Sequence, residues 1–117
     1  MTRKNIHVRI IKELESLPEL IRDKEAEIVG LQSLVSEARE KLKEKEGLLL
    51  MDRVEGVKID GKNAEIRQAQ VNEHTVIERR TLKEAEEKLA FARIELSYLH
   101  NRFSAARSIV DLLRPEA

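Results

Sequence analysis

Apolar residues recur every three or four positions along most of this chain, which is the spacing that keeps side chains on one face of a helix. In the first half, alternating steps of four and three residues give a row of twelve positions, ten of them apolar. We call this row the N-terminal seam: Ile10, Leu14, Leu17, Ile21, Lys24, Ile28, Leu31, Val35, Ala38, Leu42, Lys45 and Leu49. A heptad pattern of this length predicts a long coiled-coil helix.

The second half carries a similar row of ten positions, all of them apolar. This C-terminal seam is Leu82, Ala85, Leu89, Ala92, Leu96, Leu99, Phe103, Ala106, Val110 and Leu113. Continued toward the N-terminus, the row meets Glu78 and Thr75, whereas Val76 and Ile77 lie off it. The pattern therefore predicts a shift of register between Ile77 and Leu82, in the manner of a stutter.

Turn-forming residues are concentrated between Val54 and Asn63, where Gly56 and Asp60-Gly61 also lie. The sequence therefore predicts helices over about 5–53 and 63–113, joined by a turn at 54–62. Two helices of equal length joined by a short connection are expected to fold back as an antiparallel hairpin. We expect one all-α domain over residues 1–117.

Pro18 interrupts the first helix in sequence but leaves the seam in phase. Ser16 and Glu19 have the spacing of a capping box, and proline is tolerated in a first helical turn. We therefore expect the first helix to be broken or kinked near Leu17, with a long helix continuing from there.

A second apolar row lies beside the C-terminal seam, at Phe91, Ile94, Tyr98, Ala105, Ile109 and Leu112. A two-helix hairpin buries only one face of each helix, so this row needs another partner. The simplest solution is a homodimer that forms a four-helix bundle at the end of the hairpin holding both termini. The predicted interface residues are Phe91, Ile94, Tyr98, Phe103, Ile109, Leu112, Ile6 and Ile10.

Composition narrows the range of functions. The 117 residues include 38% charged side chains, with 22 basic and 22 acidic, and no cysteine. The absence of cysteine excludes disulfides and thiolate chemistry, and no apolar run is long enough for a membrane span. The first residues do not form an apolar signal core, so we expect a cytoplasmic protein without a membrane partner.

Basic residues cluster toward the terminal end of the predicted hairpin. Residues 1–12 carry a net charge of +4, and residues 93–114 carry a net charge of +2. Such a cluster is a candidate contact for an anionic partner, although basic clusters often serve only as solvated surface. The candidates are Arg3, Lys4, Arg9, Lys12, Arg102 and Arg107.

Catalytic and cofactor motifs are weak. Gly56, Gly61 and Lys62 have the spacing of a phosphate-binding loop, but such a loop follows a strand, and no strand is predicted here. The three histidines are far apart in sequence and lack the spacing of metal ligands. We expect no cofactor, no metal and no enzymatic activity.

The string Asp60-Gly-Lys-Asn-Ala-Glu-Ile-Arg-Gln-Ala-Gln70 resembles one found near the middle of small helical proteins of unknown function encoded by bacteriophages and prophages. The resemblance implies a phage accessory protein in a bacterial cytoplasm. Two hypotheses follow. The first is a non-enzymatic coiled-coil scaffold or adaptor that binds itself and an unidentified protein. The second is an accessory nucleic-acid-binding protein of phage replication or recombination.

Overall fold

The computed structural model describes residues 2–114, and every regular element in that range is an α-helix. Helix α1 spans Arg3–Leu50, α2 spans Ala64–Glu73 and α3 spans Val76–Leu113. The all-α class predicted from the heptad rows is confirmed. The second predicted helix is divided into two, which the heptad pattern did not anticipate.

Helix α1 runs through Pro18 without interruption. The proline has no amide hydrogen for the bond to the carbonyl group four residues earlier, so one helical hydrogen bond is missing at this point. Because α1 is continuous from Arg3 to Leu50, the predicted break near Leu17 is not found. A bend at the same place stays a prediction.

The C-terminus of α1 lies at Leu50, slightly before the predicted boundary near residue 53. The amide of Arg53 donates to the carbonyl oxygen of Leu48 at 2.9 Å, and Asp52 adopts a left-handed φ of 57°. Together these features form a Schellman-type helix end. Asp52 thus occupies the left-handed position just after the helix end, and Gly56 lies farther along the loop with a φ of 76°.

Asn63 begins α2 as the sequence predicts. Its side-chain oxygen accepts a hydrogen bond from the amide of Ile66 at 2.8 Å, which satisfies one of the free donors of the first turn. Glu65 in the same turn lies near the positive end of the helix dipole.

The loop before α2 is fastened to that helix by the side chain of Gln70. The amide of Gly61 donates to Oε1 of Gln70, and Nε2 of Gln70 donates to Oδ1 of Asp60, each at 2.9 Å. Arg67 also donates to the carbonyl oxygen of Gly61 at 3.1 Å. Residues 60–70 therefore form a self-contained turn and helix start.

Thr75 separates α2 from α3 and is completely buried. Its hydroxyl donates to the carbonyl oxygen of Val71 at 2.8 Å and accepts from Nε of Arg79 at 2.9 Å. The Thr75 carbonyl oxygen accepts the amide of Arg79 at 2.9 Å, so this residue also caps the start of α3. A polar residue is tolerated in this buried position because its hydrogen bonds are satisfied.

The register shift expected between Ile77 and Leu82 is wrong. Thr75 is buried and Glu78 and Leu82 are half-buried, which continues the four–three spacing of the C-terminal seam. Ile77 is 73% exposed and lies off that row. Polar residues such as Thr75 and Glu78 can continue a buried row when they find hydrogen-bond partners. The irregularity in this part of the chain is instead the helix interruption just before Val76.

The chain divides into two compact units. Within the described range, the terminal unit comprises residues 2–30 and 90–114, and the middle unit comprises Leu31–Leu89. In each unit a segment of α1 lies beside a segment of α3. All positions of the N-terminal and C-terminal seams are buried or half-buried.

In the terminal unit, two ion pairs join the helical segments. Arg102 lies 3.2 Å from Glu13, and Lys24 lies 3.2 Å from Glu95. A later residue of α1 thus pairs with an earlier residue of α3, so the segments run in opposite chain order.

The middle unit repeats this arrangement with other residues. Lys45 lies 2.6 Å from Glu78, and Arg39 lies 3.5 Å from Glu86. Lys24 and Lys45 are the two charged positions of the N-terminal seam, and each is bound by a glutamate of α3. Both seam interruptions therefore have a specific partner.

Candidate interaction surface

Helix α3 carries an exposed face without charge in the terminal unit. Eleven positions between Ala90 and Leu112 recur at helical spacing, and all eleven are exposed. They are Ala90, Phe91, Ile94, Ser97, Tyr98, Asn101, Ser104, Ala105, Ser108, Ile109 and Leu112. We call this surface the uncharged face. Leu112 lies 22 residues after Ala90, so the face is about 33 Å long at the usual helical rise per residue.

The large apolar side chains of the uncharged face are widely open to solvent. Phe91 is 63% exposed, Ile94 67%, Tyr98 61% and Leu112 82%, while Ile109 is 38% exposed. Large exposed apolar surfaces are uncommon on monomeric proteins, so this face is a candidate interaction surface. The structure thus leaves accessible five of the eight residues predicted for the interface.

The other three predicted interface residues lie deeper. Ile10 is only 6% exposed, and Ile6 and Phe103 are half-buried. Ile10 and Phe103 belong to the two seams, and their burial within the chain leaves little surface for a partner. Arg107 lies over the ring of Phe103, with its guanidinium carbon 5.9 Å from the ring centre.

The charged residues of this part of α3 lie away from the uncharged face or are bound to α1. Arg93, Arg107 and Asp111 are exposed on another side of the helix. Glu95 and Arg102 are half-buried and pair with Lys24 and Glu13. The lack of charge over this length is notable in a chain with 38% charged residues.

A groove of about 410 Å³ adjoins the uncharged face at Tyr98. On the α1 side it is lined by Leu20, Asp23, Lys24 and Glu27. Leu20 is 46% exposed and extends the apolar surface onto α1.

Lys24 joins the two sides of this groove. Its ammonium group lies 2.6 Å from Glu27 and 3.2 Å from Glu95. The hydrogen bond to Glu27, followed by that to Glu95, raises the pKa of Lys24 above its ordinary value. The lysine therefore stays charged and holds two carboxylates at the edge of the groove.

Five of the six predicted basic contacts are exposed: Arg3, Lys4, Arg9, Lys12 and Arg107. Arg102 is half-buried, because it binds Glu13 and stacks at 5.7 Å on the ring of Tyr98. Arg9 and Lys12 line a shallow groove on α1 together with Glu13.

The heptad pattern did not predict that Leu20 and the small polar residues of the uncharged face belong to this surface. The small polar residues could have been found from the sequence, because Ser97, Ser104 and Ser108 fall at helical spacing beside the second apolar row. Leu20 could not be assigned to this surface, because its position depends on how α1 lies against α3.

Other site types receive no support from the part of the chain that the structure describes. Residues 2–114 contain no group of three or more His, Asp or Glu side chains placed to hold a metal ion. The amide of Gly61, in the string that is spaced like a phosphate-binding loop, already donates to Gln70. No helix within the described range has the length and apolarity needed to cross a bilayer.

No protein-family model, curated protein or solved structure matches this chain.

Proposed function

We propose that this chain is a non-enzymatic helical scaffold or adaptor that acts by binding other proteins, including a second copy of itself. The uncharged face carries this proposal. Both seams are already used within the chain, yet Phe91, Ile94 and Tyr98 remain more than half exposed. Covering a large apolar side chain contributes roughly 1.5–3 kcal/mol, so this face has substantial free energy to gain from a partner.

The proposal includes a specific architecture. The two long helices form an antiparallel coiled-coil hairpin, bent near Pro18, and two hairpins dimerise through their terminal ends as a four-helix bundle. The opposite chain order of the ion pairs within each unit supports the hairpin. The uncharged face, which lies in the terminal unit, supports the position of the dimer contact.

Light scattering coupled to size-exclusion chromatography tests this proposal on the full chain. We expect the wild type to have twice the 13.5 kDa mass of one chain at tens of micromolar. Ile94→Asp should reduce that mass, because it buries a charge in the contact. A 13.5 kDa wild-type monomer at these concentrations would contradict the proposal.

The matched control is His100→Asp. His100 is exposed on the same helix but lies outside the uncharged face, and this substitution changes the formal charge as Ile94→Asp does. The control should keep the wild-type mass. Circular dichroism of both variants separates dissociation from unfolding.

The resemblance of residues 60–70 to phage proteins supports an accessory role in a bacterial host, and with it a cytoplasmic location. In that setting the adaptor would bind a host or phage protein through its helical surface. The physical role of the string itself is structural, because Asp60, Gly61 and Gln70 bond to one another.

The alternative function is binding of nucleic acid by the terminal basic residues. Arg3, Lys4, Arg9 and Lys12 are exposed near the start of α1, which favours it, whereas Arg102 is engaged by Glu13. Phosphate contacts release counterions, so such binding would weaken steeply with salt. Fluorescence anisotropy with labelled duplex DNA and single-stranded RNA at two salt concentrations distinguishes the two functions.

A further inference from the structure

We propose that the uncharged face pairs with the same face of a second copy in antiparallel orientation, about a two-fold axis beside Asn101. This inference rests on the self-association proposed above and adds its orientation and register. It follows from the order of side chains along α3, from their exposed area and from the charges that flank them.

The second apolar row, which lies within the uncharged face, is symmetric in sequence about the midpoint between Asn101 and Arg102. Reversing the helix about this point places Phe91 opposite Leu112 and Ile94 opposite Ile109. A two-fold interface requires this kind of self-complementarity, because each contact occurs twice with the residues exchanged.

Side-chain size favours the antiparallel orientation over the parallel one. In the antiparallel register Tyr98 faces the small Ala105, so large and small residues interlock across the contact. A parallel pair would instead place Tyr98 against its own copy and Ala105 against its own copy. One layer would then be crowded and another would leave a gap.

The exposed area is sufficient for a specific contact. Phe91, Ile94, Tyr98, Ile109 and Leu112 together expose on the order of 600 Å² in one copy, since large apolar side chains have surfaces of about 150–250 Å². Two copies would cover roughly 1,200 Å², the lower limit of stable specific interfaces. Leu20 adds to this area from α1.

Charge at the edge of the face also favours a second copy in reverse orientation. The groove with Arg9 and Lys12 has Glu13 as its one acidic residue, whereas the groove beside Tyr98 has three carboxylates, Asp23, Glu27 and Glu95, against the single cation Lys24. An antiparallel two-fold brings the basic part of one copy toward the acidic part of the other. A parallel pair would align like charges, which opposes association.

Arg102 does not prevent this contact, although it lies close to the proposed axis. Its charge is balanced by Glu13 at 3.2 Å, and its guanidinium group lies over the ring of Tyr98. Asn101 supplies a polar group in the middle of an otherwise apolar row. A single polar position of this kind fixes register in helical assemblies.

Cysteine cross-linking tests the orientation directly, because the native chain contains no cysteine. Two full-length variants, Ile94→Cys and Ile109→Cys, are purified, mixed and oxidised under mild conditions. The antiparallel register predicts that the mixture forms disulfide-linked dimers several-fold more efficiently than either variant alone. Efficient cross-linking of each variant with itself would indicate a parallel pair and overturn the inference.

The control mixture is Arg93→Cys with Arg107→Cys, which carries exposed cysteines on the charged side of the same helix. It should give only background cross-linking. Light scattering of the unoxidised variants separates the two proposals. A dimeric protein without the 94–109 cross-link would overturn the antiparallel register alone, whereas a monomeric wild type would also overturn the proposed self-association.

Discussion

The ammonium group of Lys45 lies 2.6 Å from a carboxylate oxygen of Glu78, and both residues occupy buried rows that otherwise hold mostly apolar side chains. The side chain of Lys45 is 39% exposed and that of Glu78 is 19% exposed. The second carboxylate oxygen of Glu78 is buried and has no hydrogen-bond partner. Lys45 therefore satisfies one carboxylate oxygen of Glu78, and the other oxygen is buried without a hydrogen bond.

Lys45→Met should lower the free energy of unfolding by about 1–2 kcal/mol, because it leaves the Glu78 carboxylate half-buried without its cation. The double variant Lys45→Met/Glu78→Met should recover most of this loss, since an apolar pair avoids the desolvation of two charges. Urea unfolding followed by circular dichroism measures both changes. A double variant less stable than Lys45→Met would show that the ion pair is required by the fold.

Acid should remove the contribution of this pair. The hydrogen bond from Lys45 holds the pKa of Glu78 below its ordinary value of about 4.5. The folded state thus binds the proton less tightly than the unfolded state, so the stabilisation is complete above pH 4.5 and declines as pH falls through the lowered pKa. The difference in unfolding free energy between wild type and Glu78→Gln should shrink below that pH. Glu87→Gln, at an exposed position, should show no such trend.

Gly61→Ala should destabilise the middle unit. A Cβ atom at Gly61 would lie 2.7 Å from Cγ2 of Ile66 and 2.8 Å from the backbone nitrogen of Arg67. Because the backbone cannot move aside cheaply, we expect a loss of about 1–3 kcal/mol. Thermal unfolding measures it.

Gly47→Ala is the matched control for that substitution. Gly47 lies inside α1, and a Cβ atom there meets nothing within 4 Å. Alanine should therefore raise stability by roughly 0.5–1 kcal/mol through its higher helix propensity. Equal losses in the two variants would contradict the steric explanation for Gly61.

Pro18→Ala should raise helicity and stability, because Pro18 lies inside α1 and is exposed. Proline in a helix interior costs about 3 kcal/mol relative to alanine, which sets the upper limit of the gain. Far-ultraviolet circular dichroism and thermal unfolding test this expectation. A large loss of stability would show instead that a bend at Pro18 is required.

The sequence alone determined the fold class and the phase of burial. Every position of both seams is buried or half-buried, from Ile10 to Leu49 and from Leu82 to Leu113. Heptad spacing predicts this because it is a local property of one helix. The cap at Asn63 was predictable for the same reason, since its partner Ile66 lies in the adjoining turn.

The tertiary structure decided which residues meet. Lys24 and Lys45 interrupt the N-terminal seam in the sequence, and only the stagger of α3 beside α1 gives them Glu95 and Glu78. The hydroxyl partners of Thr75, Val71 and Arg79, are local, but the complete burial of this polar residue at the helix interruption depends on tertiary packing. Periodicity fixes which side of a helix is buried, but the axial position of a neighbouring helix depends on the packing of residues distant in the chain.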